Sequence, residues 1–247
     1  AVLNPSMLNE QKHGVLSMNV VDYYADISFL EAAYAFPIKE LGTFSTSLKT
    51  VSYGDFVETD FNSNVLGSFN ASEQIISFGY GLPLGYNLNA GVQFKFLLSD
   101  FAEYQSSAVA SDIALSYFNP KSNWSFSVLG RNIGRPISDY TNNQLSLPFV
   151  VDVGASKTLE HLPFRFSLGY HNLQKFDNTF QLSNNNSSLF NDEEVSEVNF
   201  GNKLFNHFSI GGELTLAKRV DLRFGYNAQR RRELQLSSYQ GTVGFSW

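Results

Sequence analysis

The chain has 247 residues, a net charge of −6, no cysteine and 4 histidines. That balance gives no support to bulk nucleic-acid binding. The missing cysteine excludes disulfides, thiolate metal sites and a cysteine nucleophile. His13, His161, His171 and His207 share no metal-ligand spacing, so no metal or other cofactor is expected. Charged residues make up only 16 % and aromatics reach 15 %, with 23 Phe and 12 Tyr. An ordinary soluble domain carries about 25 % charge, yet the mean hydropathy here is close to zero. No apolar run approaches the roughly 20 residues of a membrane-spanning helix. Strands that alternate an apolar outer face with a polar inner one satisfy both facts.

The chain opens with AVLNPSMLN, which lacks the charged start and apolar stretch of a signal peptide. Period-two alternation then recurs to the end, in about twelve segments. They run over 12–20, 25–37, 43–56, 72–84, 87–99, 107–118, 123–135, 147–159, 163–176, 206–217, 219–232 and 238–247. In the fifth, Leu88, Ala90, Val92, Phe94, Phe96 and Leu98 oppose Asn89, Gly91, Gln93, Lys95 and Leu97. In the ninth, Phe164, Phe166, Leu168 and Tyr170 oppose Arg165, Ser167 and Gly169. In the tenth, Phe208, Ile210, Gly212, Leu214 and Leu216 oppose His207, Ser209, Gly211, Glu213 and Thr215. A helix would bury every third or fourth residue instead.

Short turns at 36–42, 82–87, 119–123, 159–163 and 216–220 alternate with longer links at 57–71, 136–146 and 177–205. Short turns on one side and long loops on the other are the outer-membrane arrangement. The fold expected is therefore all-β: a transmembrane, antiparallel up-and-down β-barrel of about 12 strands, in the bacterial outer membrane. Residues 1–11 are expected to end a plug segment and 12–247 to form the barrel. A soluble sandwich or a solenoid is the alternative, but neither repeats so many Phe, Tyr and Leu on one strand face.

The inward parity carries Lys49, Lys95, Arg131, Arg165 and Arg223 against Asp112, Asp152 and Glu213. A network bracing the barrel interior is the expected role, and a selectivity filter or ligand pocket the rival. No catalytic constellation is expected: His171 and Ser167 share the inward face, but no spacing marks them. The long 177–205 link is acidic at Asp192, Glu193, Glu194 and Glu197, next to Phe190. It suits either partner docking or a solvated loop, with a short helix possible over SLFNDEEVSEVNF. The closing GTVGFSW alternates and ends on Trp247, like the terminal signal of outer-membrane barrels. Arg230, Arg231 and Arg232 follow the apolar alternation of Val220, Leu222, Phe224, Tyr226 and Ala228. A tilted strand crosses in roughly 9–11 residues, so Arg230 and Arg232 are expected at the outer interface, within reach of lipopolysaccharide phosphates.

Four sequence blocks carry a family resemblance. LNPSMLN (3–9) resembles the element that follows the plug of FadL-like barrels. VLGRNIGRP (128–136), LPFVVDVGASKTLEHLPFRFSLGYHNLQKFD (147–177) and LRFGYNAQRRREL (222–234) together resemble the PorQ family, FadL-like outer-membrane components of the type IX secretion system. The resemblance implies a non-enzymatic barrel that holds the surface protein PorZ in an attachment complex with the PorU sortase and the PorV barrel. That complex couples secreted cargo to anionic lipopolysaccharide. The 177–205 link would then be the docking loop. FadL-like architecture implies about fourteen strands, so plug residues before Ala1 and a hairpin after Trp247 are expected to be missing. A FadL-like transporter of hydrophobic small molecules is the alternative function.

Overall fold

The computed structural model of the chain describes residues 3–23, 25–38, 41–138, 140, 146–175, 200–216, 220–228 and 241–246. Among the described residues twelve strands form one antiparallel up-and-down sheet in strict chain order. They are β1 Leu16–Asp22, β2 Ser28–Ile38, β3 Gly42–Thr59, β4 Val65–Gly85, β5 Leu88–Phe101 and β6 Tyr104–Asn119. β7 Trp124–Ser138, β8 Val150–Thr158, β9 Phe164–Tyr170, β10 Phe208–Leu216, β11 Val220–Asn227 and β12 Gly241–Ser246 complete it. A short helix, α1 Phe200–Phe205, precedes β10. The helix expected over 188–200 lies outside the described residues except for Phe200.

Local chemistry sets the turns. Tyr86 and Asn87 both take positive φ (50° and 65°), as the two central residues of a tight type I′ hairpin require. The expected long link at 57–71 is corrected: β3 and β4 continue through it as a hairpin whose tip is residues 60–64. Asp60 builds that tip. Its Oδ1 accepts from the amides of Asn62 and Asn64 at 2.8 Å each, and Oδ2 from Asn64 Nδ2 at 2.9 Å. The Asn64 bonds hold the Asp60 carboxyl below the usual carboxylate range. A bulge between Ser52 and Asp55, with Gly54 at φ 78°, lets the hairpin arm continue past one register shift. β9 stops at Tyr170 rather than running to 176, because Asn172 adopts φ 58° and turns the chain.

The chain divides into two compact units, Ala1–Tyr117 with Val128–Phe149, and Phe118–Ser127 with Val150–Trp247. Within each unit the two sheet faces are inverted relative to a soluble protein. In the first, Gln93 is 4 % exposed and its neighbour Phe94 57 %; Asp112 is 3 % exposed and Ile113 54 %. Along β6 the buried positions are Ala108, Ala110, Asp112, Ala114 and Ser116, while Ile113, Leu115 and Tyr117 are exposed. In the second unit His207 is 1 % exposed and Ile210 57 %, with Phe166, Leu168 and Phe224 also exposed. Polar and small side chains line the buried face, and the bulky apolar ones are turned out.

An aromatic cluster marks the short-turn end of β2–β4 on the apolar face. Phe36 stacks on Phe44 (6.2 Å), and Phe44 packs on Tyr80 (4.6 Å) at the short-turn end. Tyr80 also donates its hydroxyl to the Leu41 carbonyl. At the far end Phe56, Phe69 and Phe101 form a second cluster, with centroids 5.3–6.3 Å apart, on the face of buried Ala71, because the bulge after Ser52 reverses the parity of β3.

Candidate functional site

The polar face of the first unit receives the N-terminal segment. Asn4 Oδ1 accepts from both the amide and the hydroxyl of Ser6 (3.0 and 2.6 Å), capping a 3-10 turn over Pro5–Met7 with Pro at its first position. The turn rests where the sheet carries no side chains. A Cβ at Gly91 would come within 2.2–2.4 Å of Pro5 and Ser6 backbone atoms, and one at Gly81 within 2.2 Å of the Leu8 carbonyl. Leu8 is 2 % exposed and Ser6 fully buried. Ser116 Oγ donates to the Ser6 carbonyl (3.3 Å), and His13 Nε2 meets Thr43 Oγ1 at 2.8 Å. Further along the same face Lys95 Nζ lies 2.7 Å from Asp112 Oδ1 and donates to Asn132 Oδ1 at 2.8 Å. The Asn132 amide donates back to Asp112 at 2.9 Å, so the three residues close a ring.

The second unit presents a polar face built from β8–β11. Its register aligns Glu213 with Arg165 on one side and Arg223 on the other. Arg223 Nε donates to Glu213 Oε2 at 2.5 Å, and Nη2 lies 3.5 Å from Asp221 Oδ2. Arg165 donates to Ser156 Oγ from Nε (3.3 Å) and Nη2 (3.0 Å). Six of the eight charges expected in one lumen network have these partners: Lys95 with Asp112, Glu213 with Arg223, Arg165 with Ser156, and Asp152 with His171.

That last group was not visible as a unit in the sequence. Asp152 Oδ1 sits 3.2 Å from His171 Nδ1, and His171 Nε2 sits 2.8 Å from Ser209 Oγ. The hydroxyl beside His171 is therefore that of Ser209 and not, as its neighbour in sequence suggested, of Ser167, which packs against Gly211. The parity of β8–β10 held the signal: 152 and 209 fall on the polar face of β8 and β10, and 171, one residue past the end of β9, continues that parity.

The candidate docking residues Phe190, Asp192, Glu193, Glu194 and Glu197 and the candidate interface residues Arg230 and Arg232 lie outside the described residues, as do Arg231 and Trp247. Among the described residues no group of three or more His, Asp or Glu could hold a metal ion. No protein-family model matches the chain, and no curated protein matches it significantly.

Proposed function

We propose that the chain is a transmembrane β-barrel of the bacterial outer membrane and the docking component of a type IX attachment complex, holding PorZ beside PorU and PorV. The single observation that carries the membrane part is the inverted burial of both units. A wall of exposed Phe, Leu, Ile and Val of this extent costs heavily in water and nothing in hydrocarbon. The polar inner face with the N-terminal segment seated on it suits a barrel that is plugged rather than open.

The docking part rests on the family resemblance of residues 128–136, 147–177 and 222–234 and on the acidic 177–205 link. Affinity purification in mild detergent, followed by mass spectrometry, tests it. PorZ should be recovered together with the sortase, and deletion of 180–203 should lose PorZ while the barrel remains heat-modifiable on gels. A barrel recovered alone, or a partner that stays bound to the deletion variant, would remove the docking role or the loop's part in it.

One observation favours a second reading, transport of a hydrophobic molecule. In the first unit an open apolar groove of about 470 Å³ on the exposed face is lined by Tyr80, Leu82, Val92, Ile113, Leu115 and Val128. It would hold an acyl chain against the wall. Co-purified lipid without PorZ is the outcome that selects this alternative.

A further inference from the structure

We propose that Ser209, His171 and Asp152 form a nucleophilic triad that hydrolyses short-chain carboxylic esters of polar alcohols, such as an O-acetylated sugar. The proposal goes beyond the docking role and rests on the geometry of the second unit alone. The three side chains stand in the order that acyl transfer requires: hydroxyl to imidazole at 2.8 Å and imidazole to carboxylate at 3.2 Å. Asp152 on the Nδ1 side makes that nitrogen the N–H donor, so Nε2 keeps its lone pair toward the Ser209 hydroxyl. Burial is graded in the useful direction: Asp152 is buried, while the His171 side chain is 36 % exposed. The orienting carboxylate is thus shielded and the nucleophile end open.

The backbone around His171 is fixed from both sides. Its amide donates to the His207 carbonyl at 2.9 Å, and His207 Nδ1 donates to the His171 carbonyl at 2.7 Å. The His207 ring is itself stacked on Tyr170 (5.1 Å between centroids, 18° between planes). Two residues on, the Leu173 amide donates to the Val151 carbonyl at 2.8 Å, and the Asn172 amide donates to Asp152 Oδ1 at 3.2 Å. A solvated polar surface needs none of this positioning; a reacting imidazole does.

Gly169 is the second, independent sign. It pairs with Ser209 in the β9–β10 register, and a Cβ there would stand 2.6 Å from Ser209 Oγ and 3.0 Å from His171 Nε2. Only glycine leaves the hydroxyl and the imidazole in contact. On the other side Ser209 pairs with Asn227, whose amide type suits the oxyanion of a tetrahedral intermediate. The surrounding face is Gly154, Ser167, Gly211 and Gly225, with Glu213 and Arg223 further along. It offers small and polar contacts but no apolar slot, which selects a short acyl group on a polar carrier.

The reaction balances with water as the co-reactant. Ser209 Oγ bonds to the ester carbonyl carbon while its proton passes to His171 Nε2. The carbon–oxygen bond to the alcohol breaks, and the alcohol leaves with that proton. Water then adds to the acyl-serine, giving a proton to Nε2. The Oγ–carbon bond breaks as serine recovers the proton, and the carboxylic acid leaves. Asp152 stays ionised throughout and acts as a positioning residue.

The test uses the full chain refolded in detergent, a fluorophosphonate probe and p-nitrophenyl acetate. The probe should add to Ser209, as mapped by mass spectrometry of the peptides. Ser209→Ala should abolish the adduct and lower kcat/KM about 100-fold or more. Asp152→Asn should lower kcat with KM kept, a split that a merely structural carboxylate would not produce. Gly169→Ala should leave a folded, heat-modifiable protein, since the serine rotates away rather than the backbone shifting, and should lose labelling. Absence of an adduct on Ser209 in folded protein, or hydrolysis unchanged in Ser209→Ala, would overturn the proposal. Neither result touches the docking role, which the pull-down tests separately.

Discussion

Replacing Asp112 by Ala should destabilise the protein by about 3–5 kcal/mol, the usual result of removing one partner of a buried ion pair. The Lys95 side chain is only 14 % exposed and the Asp112 side chain 4 %, so the remaining ammonium has little access to water. Asp112 has a second dependent: it accepts the amide of Asn132, whose φ of 58° is held open by that bond. The Asp112→Leu, Lys95→Met double variant removes the stranded charge and should recover most of the loss. It should not recover all of it, because the Asn132 amide stays without its acceptor. Urea unfolding followed by tryptophan fluorescence reads both effects. Single and double variants of equal stability would mean that the pair is not desolvated.

Replacing Gly91 by Leu should eject the N-terminal segment. The atoms that a Cβ would meet are Pro5 and Ser6 backbone atoms, which cannot swing aside as a side-chain tip can. Leaving the sheet is the cheaper response, so the cost is set by what docking contributes: about 2–3 kcal/mol for re-exposing Leu8, with the Ser116–Ser6 and His13–Thr43 bonds lost as well. Limited proteolysis should then cut within residues 3–13 while the strands stay protected. Gly67→Ala is the control, since only the Glu58 carboxylate lies within 4 Å of a Cβ there, at 3.9 Å. Unchanged protection in Gly91→Leu would show that the segment is held by something other than the glycine face.

What could be read in the sequence was what period two encodes. Phe94 against Gln93 and Ile113 against Asp112 are enough to fix both the strand and which side of it is buried, and all twelve segments reappear as strands. Strand ends were harder, because they are set by single backbone conformations. Asn172 at positive φ ends β9 early, and the Asp60 turn turns the supposed loop at 57–71 into a hairpin. The N-terminal seat was legible in part: the NPS element stood out, but its receptor is a row of glycines whose meaning depends on which strand they face. The Ser209–His171–Asp152 group was out of reach of spacing, because residues 152, 171 and 209 meet only through the register of three strands. Arginine and acidic candidates at 190–197 and 230–232 have no counterpart to compare with among the described residues.

The central claim is that the exposed apolar face lies against lipid. Because the chain has no cysteine, single cysteines can be placed at Phe94, Ile113, Phe166 and Ile210 on that face, and at Gln93, Ser167 and Ser209 on the opposite one. Each is labelled with a fluorophore and the protein is reconstituted in vesicles of brominated phospholipid. Strong quenching at 94, 113, 166 and 210, with weak quenching at 93, 167 and 209, is the result predicted. Equal quenching at both sets, or none at any, would contradict a barrel whose apolar wall is seated in the membrane.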